Sequence, residues 1–157
     1  MKIKVVWIGK TKEPAIQSLT DEYLRRIGHY ISVEGIAARD EAALLERCAF
    51  APSGKRQKSA SNEKANLVLM ESGGKEFSSE QFAQFLGDYQ DRNPLPLVFA
   101  IGGANGFSDE ARSAAQITLS LGKMTLAHEL ARVVLLEQIY RAFTILKGHP
   151  YHYHCGH

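Results

Sequence analysis

Residues 97–106 read Leu97-Val98-Phe99-Ala100-Ile101-Gly102-Gly103-Ala104-Asn105-Gly106, an uninterrupted apolar run of strand length that passes straight into a glycine-rich turn. A strand that is apolar without alternation belongs in a sheet buried on both faces, which is the condition of a parallel sheet with helices on either side. Upstream, Ala65-Asn66-Leu67-Val68-Leu69-Met70 has the same character, and Ile3-Lys4-Val5-Val6-Trp7-Ile8 is a third β-rich run, closed by Gly9. A weaker strand spans Ile31 to Ala38, and a brief one Ile117 to Ser120.

Helical spacing fills the intervals. Ile16, Leu19, Tyr23, Leu24 and Ile27 recur at helical spacing up to Gly28, and Glu41 to Phe50 reads as a helix that stops near Pro52. The glycine pair Gly73-Gly74 predicts a turn after the second apolar strand. Ser78 and Gln81 form a capping-box signature for a helix that buries Phe82, Phe85, Leu86 and Tyr89 and ends before Asn93-Pro94. Asp109 to Gln116 is a short helix, and Leu121 to Leu126 a loop leading into a last helix of about 20 residues. The fold class is therefore α/β, a mostly parallel sheet flanked by helices, in one domain over residues 1–157, since no repeat or proline-rich linker divides the chain.

With 157 residues, 45% apolar and 23% charged, the chain can build a core without a disulfide scaffold. Two cysteines, Cys48 and Cys155, stand far apart, and no apolar leader follows Met1-Lys2-Ile3-Lys4, so the expected compartment is the cytoplasm, with both thiols free. Charged residues interrupt Leu126 to Leu146, which is not a membrane span. Of the net charge of +2, the stretch Ser53–Lys64 holds +3 (four basic residues against Glu63), leaving −1 for the rest. That stretch reads as a solvated loop or as a contact for a polyanion such as RNA.

In the last helix Leu130, Val133, Val134, Leu135, Leu136, Ile139, Tyr140, Phe143, Ile145 and Leu146 cover more than the single stripe a surface helix needs. A homodimer interface is the expectation, with full burial inside one chain as the alternative. Gly9-Lys10-Thr11 is not a P-loop, because Lys4 stands where that motif needs glycine. Gly102 to Gly106 lies where α/β sheets bind ligands, although a tight turn explains it equally. On the last helix His128 and Arg132 are one turn apart and Glu137 and Arg141 form an i, i+4 pair; such a face is either solvated or, with an arginine beside a dimer seam, set to meet RNA phosphate or to neutralise charge in a substrate. The tail carries His149, His152, His154, Cys155 and His157, which is thin support for zinc and suits base stacking and proton handling.

Ile101 to Ser108, Leu119 to His128, Arg132 to Ala142 and His149-Pro150-Tyr151-His152, taken in order, resemble the bacterial ribosomal RNA large-subunit methyltransferase H family, and the likeness extends through Tyr23-Leu24-Arg25-Arg26 to the first strand. The resemblance implies a SPOUT methyltransferase, with a C-terminal trefoil knot, that dimerises and binds S-adenosylmethionine. It implies methylation at N3 of a pseudouridine in helix 69 of 23S rRNA, within the assembled 70S ribosome. A non-catalytic ribosome-binding assembly factor of the same fold is the alternative. Carried over by position, the cofactor would meet Met70, Gly103 and the loop Gly122, Lys123, Met124, Thr125, Leu126 and Ala127. His152 is the expected base or orienting group, with Tyr151, Arg141 and His128 in support, and no metal is required. The chain departs from the family pattern at Gly122 (commonly serine), Ala127 (commonly proline) and Tyr153 (commonly basic).

Overall fold

The structure, a computed structural model, describes residues 1–47 and 64–153. In chain order the elements are β1 (Lys2–Ile8), α1 (Pro14–Ile27), β2 (Ser32–Ala38), α2 (Glu41–Arg47), β3 (Asn66–Glu76), α3 (Ser79–Arg92), β4 (Leu97–Ile101), α4 (Asp109–Ala114), β5 (Ile117–Ser120) and α5 (His128–Leu146). The strands form one five-stranded sheet in the order β2-β1-β4-β3-β5, and every pairing is parallel. The basic stretch apart from Lys64, the last three residues of the expected Glu41 to Phe50 helix, Cys48 among them, and the end of the tail from His154 lie outside the described residues.

Pleating sends alternate side chains of each central strand to opposite faces, and both faces are covered. Ile3, Val5, Leu97, Phe99 and Ile101 pack with α1, α3 and α5 on one side. On the other, Val6, Leu67, Leu69, Val98 and Ala100 meet Leu44 and Leu45 of α2, together with Phe107 before α4 and Ala111 of α4. That two-sided burial is the physical reason for the unalternating apolar runs. The capping box is present: Ser78 Oγ accepts from the Gln81 N–H at 3.1 Å, and Gln81 Oε1 accepts from the Ser78 N–H at 2.8 Å.

One local expectation fails. Gly73-Gly74 is no turn; β3 continues to Glu76, its pairing with β5 slipping between Met70 and Lys75. Gly74 serves close approach instead, since a Cβ there would lie 2.7 Å from the Leu119 carbonyl carbon. In α5 the sheet, α1 and α3 bury Val133, Leu135, Leu136, Ile139, Ala142 and Phe143, whereas Leu130 and Leu146 are exposed. Within this chain the helix is not fully covered. Among the described residues no helix is long and apolar enough to cross a membrane.

Candidate functional site

A cavity of about 420 Å³ opens at the carboxyl ends of β4 and β5, level with Met70 of β3, which pairs with Ile101 and Leu119. Backbone forms much of it. At Gly102 a Cβ would lie 3.1 Å from the Phe107 ring, a tight approach that the ring would have to yield to, and the turn closes where the Gly106 N–H donates to the Gly103 carbonyl at 3.2 Å. Gly122 has φ +143°, a conformation side chains resist, and Ser120 Oγ fixes it by accepting from the Gly122 N–H at 3.1 Å and donating to the Gly122 carbonyl at 2.7 Å.

Of the expected cofactor residues, the structure brings Met70, Gly103, Gly122, Met124, Thr125 and Leu126 to this cavity, and His128 stands at its edge on the first turn of α5. Lys123 and Ala127 belong to the same loop but do not line it. Sequence reading missed its charged wall, where Glu71 accepts from Arg112 Nε and Nη2, each at 3.0 Å. These partners lie 41 positions apart, so no local spacing announces them. The wall therefore carries a neutralised cation beside small residues and apolar Met70, Leu121 and Leu126. Such a lining fits a ligand with a flat ring and a positive centre better than a polyphosphate, which needs unpaired cations.

Arg141, Tyr151 and His152 do not line that cavity. They gather on the middle of α5 and the start of α3, around the carboxylate of Glu137, whose i, i+4 spacing from Arg141 shows only half of its role. Glu137 Oε1 accepts from Arg141 Nε at 3.0 Å, from Arg141 Nη2 at 2.5 Å and from the Tyr151 hydroxyl at 3.1 Å. The Glu137 and Arg141 side chains are only 20% and 16% exposed, so this is not a solvated face. Burial first, then the Glu137 carboxylate, pushes the Tyr151 phenol well above its ordinary range. Arg141 Nη1 sits 3.0 Å from His152 Nδ1, and a guanidinium only donates, so Nδ1 is the acceptor. The ring proton is then on Nε2, which donates to Glu80 Oε1 at 2.8 Å and holds that carboxyl below its usual range.

Neither reading of Arg132, solvated or phosphate-facing, survives. The residue is 1% exposed, its guanidinium lies 3.9 Å over the Trp7 ring, and Nη1 donates to Thr11 Oγ1 at 2.7 Å. Its neighbour Glu129 accepts from the Lys12 N–H at 2.6 Å, so α5 pins the β1–α1 loop. Among the described residues no cluster of His, Cys, Asp and Glu could hold a metal ion.

The family model described as "Predicted SPOUT methyltransferase" matches residues 1–152. The chain is 51% identical over 152 residues, 97% of its length and 98% of the relative's, to the ribosomal RNA large subunit methyltransferase H of Koribacter versatilis. It belongs to that family of SPOUT methyltransferases. The Geotalea daltonii protein of the same name is 43% identical over 153 residues, covering 98% of this chain and all of that one (100%). A solved structure of a probable methylase family protein from Haemophilus influenzae shares the fold, with TM-score 0.58 at 9% identity, over 94% of this chain and 69% of that one. Membership in the family makes the chain a methyltransferase; which of its cavities and clusters serve the reaction is a matter of chemistry.

Proposed function

We infer that this protein is a cytoplasmic, homodimeric, S-adenosylmethionine-dependent methyltransferase of large-subunit rRNA, acting at N3 of a pseudouridine in helix 69 of the assembled 70S ribosome. The observation that carries this reading is the glycine-built cavity at the sheet's carboxyl edge, in a chain of this family. Gly103, Gly122, Met124, Thr125 and Leu126 would hold the cofactor through backbone groups, and Met70 would cover its adenine. When bound, S-adenosylmethionine supplies an electrophilic methyl on a positively charged sulfur. The chain's own tasks are to align the acceptor nitrogen, exclude water and remove the N3 proton.

For the proton the chain offers His152. Its Nδ1 lone pair, held by Arg141, becomes available when the guanidinium turns to the substrate, and Glu80 keeps the proton on Nε2. Tyr151 and Arg141, both bound to Glu137, hold the tail in place; His128 orients groups at the mouth of the cavity. Since the tail cluster does not line its own chain's cavity, the reading has each tail complete the partner's site. The partly exposed apolar face of α5 supplies the seam, and the loop after β5 takes part in the trefoil knot.

Labelled S-adenosylmethionine, incubated with the protein and undermethylated ribosomes, tests this. Label in 23S rRNA, mapped by mass spectrometry to N3 of a helix 69 pseudouridine, is the expected result; tight cofactor binding with no label in RNA leaves an assembly factor. A naked helix 69 fragment should be a poor substrate, because a chain of net charge +2 reads shape rather than binding free RNA by charge. Equal turnover on fragment and ribosome contradicts that.

A further inference from the structure

A second cavity, of about 300 Å³, lies against the first, and Met70, Ser120 and Leu121 line both. Phe77 and Phe82 give it aromatic surface, and Val134 of α5 adds an aliphatic one. No charged side chain lines it, so it is not built for phosphate. Its polar side includes Ser79 and Gln138: Ser79 Oγ donates to Gln138 Oε1 at 2.7 Å, and Gln138 Nε2 donates to Glu137 Oε2 at 3.0 Å. A primary amide has two acceptor and two donor positions, so with both bonds kept Gln138 still presents one of each to a ligand.

An uncharged slot with aromatic walls and one amide edge is how proteins hold an unstacked nucleobase. The edges of a pyrimidine-2,4-dione alternate carbonyl acceptors with N–H donors, which a side-chain amide matches in pairs. Through Glu137 the same amide is joined to the cluster holding Arg141, Tyr151 and His152. The cavity thus borders the methyl-donor pocket on one side and is tied on the other, through Gln138 and Glu137, to the network that holds its own chain's tail.

We propose that this second cavity receives the acceptor base, a single unstacked pyrimidine-2,4-dione of rRNA. The base lies against Phe77 and Val134, its reacting edge faces the wall shared with the first cavity, and Gln138 hydrogen-bonds its other polar edge. This rests on the rRNA methyltransferase reading and adds the place and recognition of the base. Gln138 is a specificity-determining residue in this account.

The methionines make the test, since of the three in the chain Met70 lines both cavities and Met124 only the first. In methionine methyl NMR of the full chain, pseudouridine 5′-monophosphate should shift Met70 and leave Met124 in place, whereas S-adenosylhomocysteine should shift both. Val134→Phe, which fills the slot, should abolish the nucleotide shift and keep the other. With cofactor and undermethylated 70S ribosomes, Val134→Phe should lower kcat/KM at least tenfold, roughly the consequence of misplacing an acceptor. Gln138→Leu should cost about five- to tenfold, mainly in KM, as for one lost hydrogen bond. S-adenosylhomocysteine affinity should stay within about twofold in both, since neither residue lines the first cavity.

A nucleotide that shifts Met124 too, or neither methionine, overturns the proposal. So does wild-type transfer by both variants, or a Val134→Phe protein whose altered oligomeric mass shows the slot filled by a second copy of the chain. If Val134→Phe does not fold, Gln138→Leu decides by the same readings. Wild-type protein that puts no label in rRNA sinks the methyltransferase reading itself, while the Met70 and Met124 pattern still reports whether the slot takes the base.

Discussion

The cavity at the sheet edge and the tail cluster on α5 are built from different materials. The first is largely backbone: Gly102, Gly103, Gly106 and Gly122 set its outline, and its one charged pair, Glu71 with Arg112, is already satisfied. The second is side chains only, with Glu137, Arg141, Tyr151, His152 and Glu80 sharing hydrogen bonds in a half-buried patch. A backbone site fails when something is added to it. A side-chain network fails when something is removed.

The largest contrast should come from Gly103. A Cβ there meets only Ile8 Cγ2, at 4.0 Å, so Gly103→Ala should be tolerated, and Gly103→Phe should project a ring into the cavity. Isothermal titration should show Gly103→Phe losing cofactor affinity by about a hundredfold or more, as one expects when a filled pocket excludes its ligand. Unchanged affinity in Gly103→Phe would place the cofactor elsewhere.

Next in size is His152→Ala. Single-turnover methyl transfer to ribosomes should slow by roughly 10²–10⁴, the usual contribution of a positioned base, while cofactor affinity hardly moves. The reverse pattern, normal transfer with weak cofactor binding, would move His152 to the first region. Glu137→Gln should have a smaller effect, about tenfold in kcat, because the amide still accepts from Arg141 and Tyr151 but no longer carries the charge that strengthens those bonds. A loss equal to that of His152→Ala would promote Glu137 from positioning residue to participant.

How far each region is legible in the sequence follows from the same contrast. Strand and helix positions are local facts: Ser78 and Gln81 announce a helix start, and the apolar runs announce buried strands. The glycine turn is legible because a strand end followed by small residues is itself a signal. Gly73-Gly74 carries the same signal and misleads, because the demand for a missing side chain comes from β5, distant in sequence. Arg132 misleads for a related reason. One turn from His128 it looks like part of a solvated face, and only the tertiary fold shows that Trp7 covers it. Glu137 stood in view as a helix neighbour of Arg141, but its role as shared acceptor depends on Tyr151 folding back, which helical spacing does not show.

The smallest effect concerns the tail cluster alone and sharpens the comparison through pH. Burial and the nearby Glu137 raise the Tyr151 phenol above its ordinary value near 10, so between that value and its folded one the native chain keeps a proton that the unfolded chain has lost. Stability from this source is complete below about pH 10 and declines as pH rises above it. Tyr30 and Tyr89 are raised by burial too and add to the decline with the same sign. Tyr151→Phe removes one titrating group but leaves the ring against Tyr140, whose centroid is 4.8 Å away. Urea unfolding at pH 8, 10 and 11 should therefore show a shallower alkaline loss for Tyr151→Phe than for the parent, with little change at pH 8 beyond one hydrogen bond, about 1 kcal/mol. The same series on Gly103→Ala should follow the parent at every pH, because the backbone-built cavity contributes no raised tyrosine. If Tyr151→Phe also follows the parent, the tail does not stay packed on α5 in solution, and the side-chain region loses the closed geometry on which its chemistry depends.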